Sequence, residues 1–176
     1  AADETEFISR LYGLMAELPT KPSLTPVVFE CIEHCFIKKR EVSPPRVAAF
    51  CKRLCSIAAH LPQPYNEACL ALAQILITRY SRLQTLLETE DECVAAGSAN
   101  LHTDDADNCN ALGTIAWELP LYMRHVSSAL SHAATRVARM VPDFSVLLSA
   151  VIVFVSARGV DSAACYDIGG YRTRSS

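Results

Sequence analysis

The sequence has no GxGxxG run, no Walker loop, no HExxH pair and no GxSxG elbow. The usual parts for cradling a phosphate, holding a catalytic zinc or straining a nucleophile are therefore missing. Glycine is scarce, at 6 of 176 residues, so the glycine-rich loops of a small disulfide scaffold are missing too. The longest apolar run, over 146–155, is shorter than the roughly 18 to 20 residues a membrane span needs, and reads as a buried helix or strand. A net charge of −3 argues against a surface given over as a whole to nucleic acid, while leaving room for a local basic stripe. The chain opens on Ala1 with neither a leader pattern nor an initiator Met, which reads as an excised or processed piece.

What the sequence does have is apolar residues, 51% of the chain, set at helical intervals. Phe7, Ile8, Leu11, Leu14, Met15 and Leu18 mark a helix over 4–18 that Pro19 and Pro22 end. Pro26 fits the first turn of the next helix, whose stripe is Val28, Cys31, Ile32, Cys35 and Phe36. Ser43-Pro44-Pro45 predicts a capped start for a third helix running to about His60, with Val47, Phe50, Leu54, Ile57 and Leu61 on one side. Asn66 is placed to cap a fourth, in which Leu70, Ala73, Ile77 and Tyr80 face inward. Periodicity then lapses, and 89–108 reads as a long, exposed acidic loop. Helix is expected again from 110 to 118, with a kink or break at Leu119-Pro120 and a continuation to about Met140. Leu121, Met123, Val126, Leu130 and Val137 would lie on its apolar side. Short helices separated by proline-rich turns are how stacked helix pairs look, so the expected fold is all-α, a HEAT-like α-solenoid in preference to a closed bundle. The expected units are a helical domain over 1–142 and, over 143–176, an apolar segment with a loosely ordered tail.

Three groups invite a chemical reading. Cys31, His34, Cys35, Cys51 and Cys55 have the donor types of a zinc site, but each cysteine pair is four apart on an amphipathic face, as core thiols of a reduced protein would also be. His125 and His132 share a helix face with Cys109 near by in sequence, without a turn that would activate a nucleophile. Asp104-Asp105 lies in polar sequence where nothing raises a pKa. No catalytic residue, metal or cofactor is therefore assigned. Lys38, Lys39, Arg40, Arg46, Lys52 and Arg53 form a basic run that would meet RNA phosphate or a protein partner, or else be a solvated face.

Two motifs carry a family resemblance. Asp107, Asn110-Ala111, Thr114, Trp117-Glu118-Leu119 and Arg124-His125 resemble the signature of the CCAAT-binding-factor domain of the nucleolar complex proteins. Val42-Ser43, Arg46, Ala49-Phe50, Lys52-Arg53-Leu54 and His60-Leu61-Pro62 look like the same family. The chain departs from the pattern with Met123 in place of a second Arg, Val126-Ser127-Ser128 in place of Tyr-His-Pro, and Pro120 inside the expected helix. The resemblance implies a non-enzymatic helical scaffold in the nucleolus or nucleus. It would act on large-subunit pre-ribosomes and pre-rRNA, with nucleolar complex-associated protein 2 as partner and no membrane contact. A chromatin-bound adaptor in replication licensing is the alternative that the resemblance implies. Trp117, the chain's single tryptophan, is expected to fill a gap between helices, with Glu118, Leu119, Arg124 and His125 around it and a cost of about 3 to 5 kcal/mol for truncation to Ala.

Overall fold

A computed structural model of the chain describes residues 2–38, 42–88, 100, 103 and 105–140. Six α-helices account for most of them: α1 (Ala2–Glu17), α2 (Thr25–Ile32), α3 (Pro44–Ile57), α4 (Tyr65–Arg79), α5 (Glu118–Tyr122) and α6 (Ser128–Arg139). There is no strand among the described residues, and helix packs on helix in succession, the all-α arrangement of a HEAT-like repeat. None of the described helices is long and apolar enough to cross a membrane.

The centre of the packing is α3. Every residue over 47–55 is buried, because α1, α4 and α5 all pack against it. Small buried side chains occur on both packed helices, Ala48, Cys51 and Cys55 on α3 and Ala68, Cys69 and Ala73 on α4. The Cys69 thiol donates to the Leu54 carbonyl at 3.2 Å, and the Cys51 thiol to that of Ala73 at 3.8 Å. On the other side Tyr12, Phe50 and Phe36 form an aromatic run, with centroids 5.1 and 4.6 Å apart, that ties α1 through α3 to the segment after α2. That segment widens to π geometry over Glu33–Lys38, and the Tyr80 hydroxyl donates to its Phe36 carbonyl at 2.7 Å.

Proline punctuation places the first four helices where the sequence does, but several caps differ. Ser43 and Asn66 make no side-chain cap, the latter lying inside the first turn of α4 with Pro64 at the cap position. The cap that does form was not foreseen: Ser127 Oγ accepts from the Leu130 amide at 3.5 Å. It stands among the residues that depart from the family pattern, so that departure supplies the start of α6.

The helix expected over 110–118 is not there. Asn110 adopts the left-handed conformation (φ 49°), Ala111–Gly113 makes one 3-10 turn, and Thr114 is extended. The chain is then held by the Ala116 amide donating to the Leu86 carbonyl at 2.6 Å. Pro120 does not break a helix, since it falls in the first turn of α5, where a missing amide proton costs nothing. Two residues expected on the apolar side point outward instead, Leu121 at 59% exposure and Val126 at 100%. Most of the acidic loop and all of 143–176 lie outside the described residues.

The buried thiols make stability depend on alkaline pH. A hydrogen bond with Cys55, and then burial, pushes Cys51 well above the ordinary thiol value of 9.0, and burial does the same to Cys69. A pKa raised by folding means that the folded state keeps a proton the unfolded chain gives up. Stability should therefore hold steady below about pH 9 and fall as pH rises beyond it, which urea unfolding at pH 7.5 and pH 10 will show.

Candidate functional site

The basic residues of α3 are turned inward. Lys52 is 0% exposed and Arg53 is 8% exposed. Lys52 and Ser56, one helical turn apart, share a line facing α5, whereas Arg46 and Arg53 lie on the line facing Thr103 and the turn at 105–109.

The Lys52 ammonium donates to Glu118 Oε2 at 2.5 Å and to the Ile115 carbonyl at 2.6 Å. It also lies 5.2 Å from the centroid of the Trp117 ring. Ser56 Oγ donates to the other carboxylate oxygen of Glu118 at 2.6 Å. The Tyr122 hydroxyl bonds the Cys55 carbonyl at 2.9 Å, near the end of α3 where carbonyls lack partners within the helix. Burial pushes that phenol up to about 12, so it stays a donor.

The second line acts in the same way. Arg53 donates to the Tyr12 carbonyl at 2.6 Å and the Thr103 carbonyl at 3.0 Å, with its guanidinium 3.5 Å over the Tyr12 ring. Arg46 grips Asp107 through both carboxylate oxygens, Nε to Oδ1 at 2.8 Å and Nη2 to Oδ2 at 2.5 Å. The described end of the acidic loop is thus docked, with Ala106 and Cys109 buried. Asp105 closes the turn by accepting from the Asp107 amide and the Asn108 side chain, and those bonds hold its carboxyl below the ordinary range.

The six residues of the basic run therefore do not form one surface. Lys38 is exposed and bonded to His34 and Glu33, while Lys39 and Arg40 lie outside the described residues. Arg46, Lys52 and Arg53 are engaged within the molecule, because each has a carboxylate or carbonyl to satisfy it there. The signature residues divide as well: Glu118 and Leu119 are buried, and Arg124 and His125 are exposed. Trp117 corrects the expectation made for it. At 52% exposure it does not fill an interhelical gap, but lies over the buried cation with much of its ring in solvent.

The thiols and imidazoles stay apart. Cys51 and Cys55 are in the core, Cys31 and Cys35 are half-buried, and among the described residues no group of three or more His, Cys, Asp or Glu is placed to hold a metal. Cys109 is buried with its thiol on the Ala106 carbonyl at 3.4 Å, whereas His125 and His132 are exposed.

A clasp of cations on one helix closing on one signature segment is a feature of the whole helical unit, and the family comparison covers that unit. The CBF/Mak21 family model matches residues 1–134, from the start of α1 into α6. The chain belongs to the CBF/Mak21 family. Nucleolar complex-associated protein 3 of Schizosaccharomyces pombe is 31% identical over 124 residues, covering 67% of this chain and 16% of that protein. Nucleolar complex protein 3 homolog of Homo sapiens is 28% identical over 144 residues, covering 80% and 18%. Nucleolar complex-associated protein 3 of Arabidopsis thaliana is 27% identical over 142 residues, covering 78% and 17%. The chain thus spans under a fifth of the length of these CBF/Mak21 relatives.

Sequence reasoning missed the clasp because its members are far apart. One signal was available: Glu118 is the sole acid in 117–140, at the start of a segment otherwise basic or neutral. Breaking a buried pair strands a charge, so Lys52→Met should cost about 3 to 5 kcal/mol, and the double variant Lys52→Met/Glu118→Leu clearly less than the sum of the two single changes. Urea unfolding of the four proteins checks this. Trp117→Ala should cost only about 1 to 2 kcal/mol, the scale of a half-exposed ring and a cation contact, read from the same titrations.

Proposed function

We propose that the chain is a helical portion of a non-enzymatic scaffold in ribosome biogenesis, acting in the nucleolus on large-subunit pre-ribosomes during their maturation and transport. The observation that carries this reading is the similarity to nucleolar complex 3 proteins across 67 to 80% of the chain. Those relatives are named for a nucleolar complex, and the role is taken over from them. The physical reading agrees: the polar side chains with the strongest interactions serve to lock helices together, which suits a rigid docking body. Nucleolar complex-associated protein 2 is the proposed protein partner. For pre-rRNA the proposed contact is Lys38, with Lys39 and Arg40 beside it in sequence, since its ion pair with Glu33 is at the surface, where phosphate can compete for the ammonium.

Expression of the full-length protein carrying this segment, with a purification tag, tests the reading. It should sediment with large-subunit precursors and co-purify with pre-rRNA, and Lys38 should crosslink to RNA under ultraviolet light. Co-purification with replication-licensing factors in place of precursor particles would reject the reading in favour of a chromatin adaptor.

A further inference from the structure

Helix α5 and the turn after it present a face that nothing among the described residues covers. Trp117, Leu121 and Arg124 recur at i, i+4 and i+7, and all three are exposed, whereas Glu118, Leu119 and Tyr122 face inward. Pro120 and Val126, apolar neighbours in sequence, are exposed as well, and so is His125 next to Arg124. Exposed large apolar residues grouped in this way mark an interaction site more often than they mark plain surface. The tryptophan is also held in place: its backbone begins α5, and the ammonium of Lys52 lies 5.2 Å from its ring centroid. A ring fixed before binding loses little freedom on contact, and Trp and Arg are the residue types that dominate binding energy at protein interfaces.

Charge identifies the occupant. Over 117–140 the basic residues are Arg124, Arg136, Arg139, His125 and His132, and the one acid, Glu118, is buried against Lys52. Arg124 makes no ion pair among the described residues. Among the described residues over 117–140 the exposed side chains are thus apolar, basic or hydroxyl, and none is acidic. The aliphatic share of the patch, Leu121, Pro120 and Val126, suits side chains of a helix and not stacked bases.

We infer that the Trp117/Leu121/Arg124 face is a docking site for an amphipathic helix of a partner protein whose apolar stripe is flanked by Asp or Glu. The inference rests on the scaffold reading and gives that scaffold one of its contact surfaces.

Trp117 is the chain's only tryptophan, so its emission reports occupancy of the site directly. The probe is a synthetic tryptophan-free helical peptide with Leu and Phe along one stripe and Glu on both flanks. A second peptide of the same apolar residues carries Lys in place of Glu. The acidic peptide should shift Trp117 emission to the blue and saturate. Leu121→Glu and Arg124→Glu should each weaken that binding by about tenfold or more while leaving the thermal midpoint unchanged. Equal binding of the Lys peptide, or no saturable response to the acidic one, would overturn the inference. So would quenching by single-stranded oligouridylate in its place, emission that depends on chain concentration alone, or free-chain emission already that of a shielded indole. These outcomes point in turn to RNA, to a second copy and to the chain's own segments as the occupant. Failure here with precursor-particle association intact removes the docking site alone, and loss of that association with peptide binding intact removes the scaffold reading alone.

Discussion

The unit is organised around a lysine with no access to water. An ammonium inside an apolar core is tolerated only if nearly all of its hydrogen-bonding capacity is met, and Lys52 obtains that from Glu118, the Ile115 carbonyl and the face of Trp117. Much of the remaining architecture follows from satisfying this one charge. The extended stretch before α5 brings the Ile115 carbonyl within reach, α5 starts where it does so that Glu118 points down onto α3, and Ser56 takes the second oxygen of that carboxylate. A hydrophobic pair at this place would hold the helices as firmly, whereas the ion pair adds directed hydrogen bonds to Glu118 and the Ile115 carbonyl.

Arg46 and Arg53 repeat the arrangement one helical face away. Together the three cations fasten residues 103–118 along α3, on both of the lines this helix presents to later sequence. Segments fastened at both ends tolerate variation between the fasteners, because the entropy of closing a loop rises only slowly with its length. The acidic stretch that begins after α4 is followed at once by such fasteners.

The first four helices were legible in the sequence because their apolar stripes are long enough to define a face, and because prolines stand at their ends. The region from Asn110 to Val126 was not. Asn110 and Gly113 favour a local turn, and the Ala116 amide finds its partner across the molecule at Leu86, which no window of local sequence reveals. The spacing that places Leu121 and Val126 inward assumes one helix to Met140, whereas α5 ends at Tyr122 and α6 begins at Ser128. For the site, the two motifs contain Arg46, Lys52, Asp107 and Glu118, but sequence does not show that they pair. Lys52 and Arg53 were read as solvated because charge on a helix is usually outside, and Trp117 as buried because large rings usually are. The burial of Lys52 depends on Glu118, 66 positions beyond it, and that of Arg53 on the Tyr12 and Thr103 carbonyls, 41 and 50 positions away.

That separation also bears on how the polypeptide is made. While synthesis proceeds from the amino end, α1 to α4 leave the tunnel with a cation destined for their interior and no counter-charge yet available. The pair between Lys52 and Glu118 can therefore form only after the last of the elements that bury the lysine has been made.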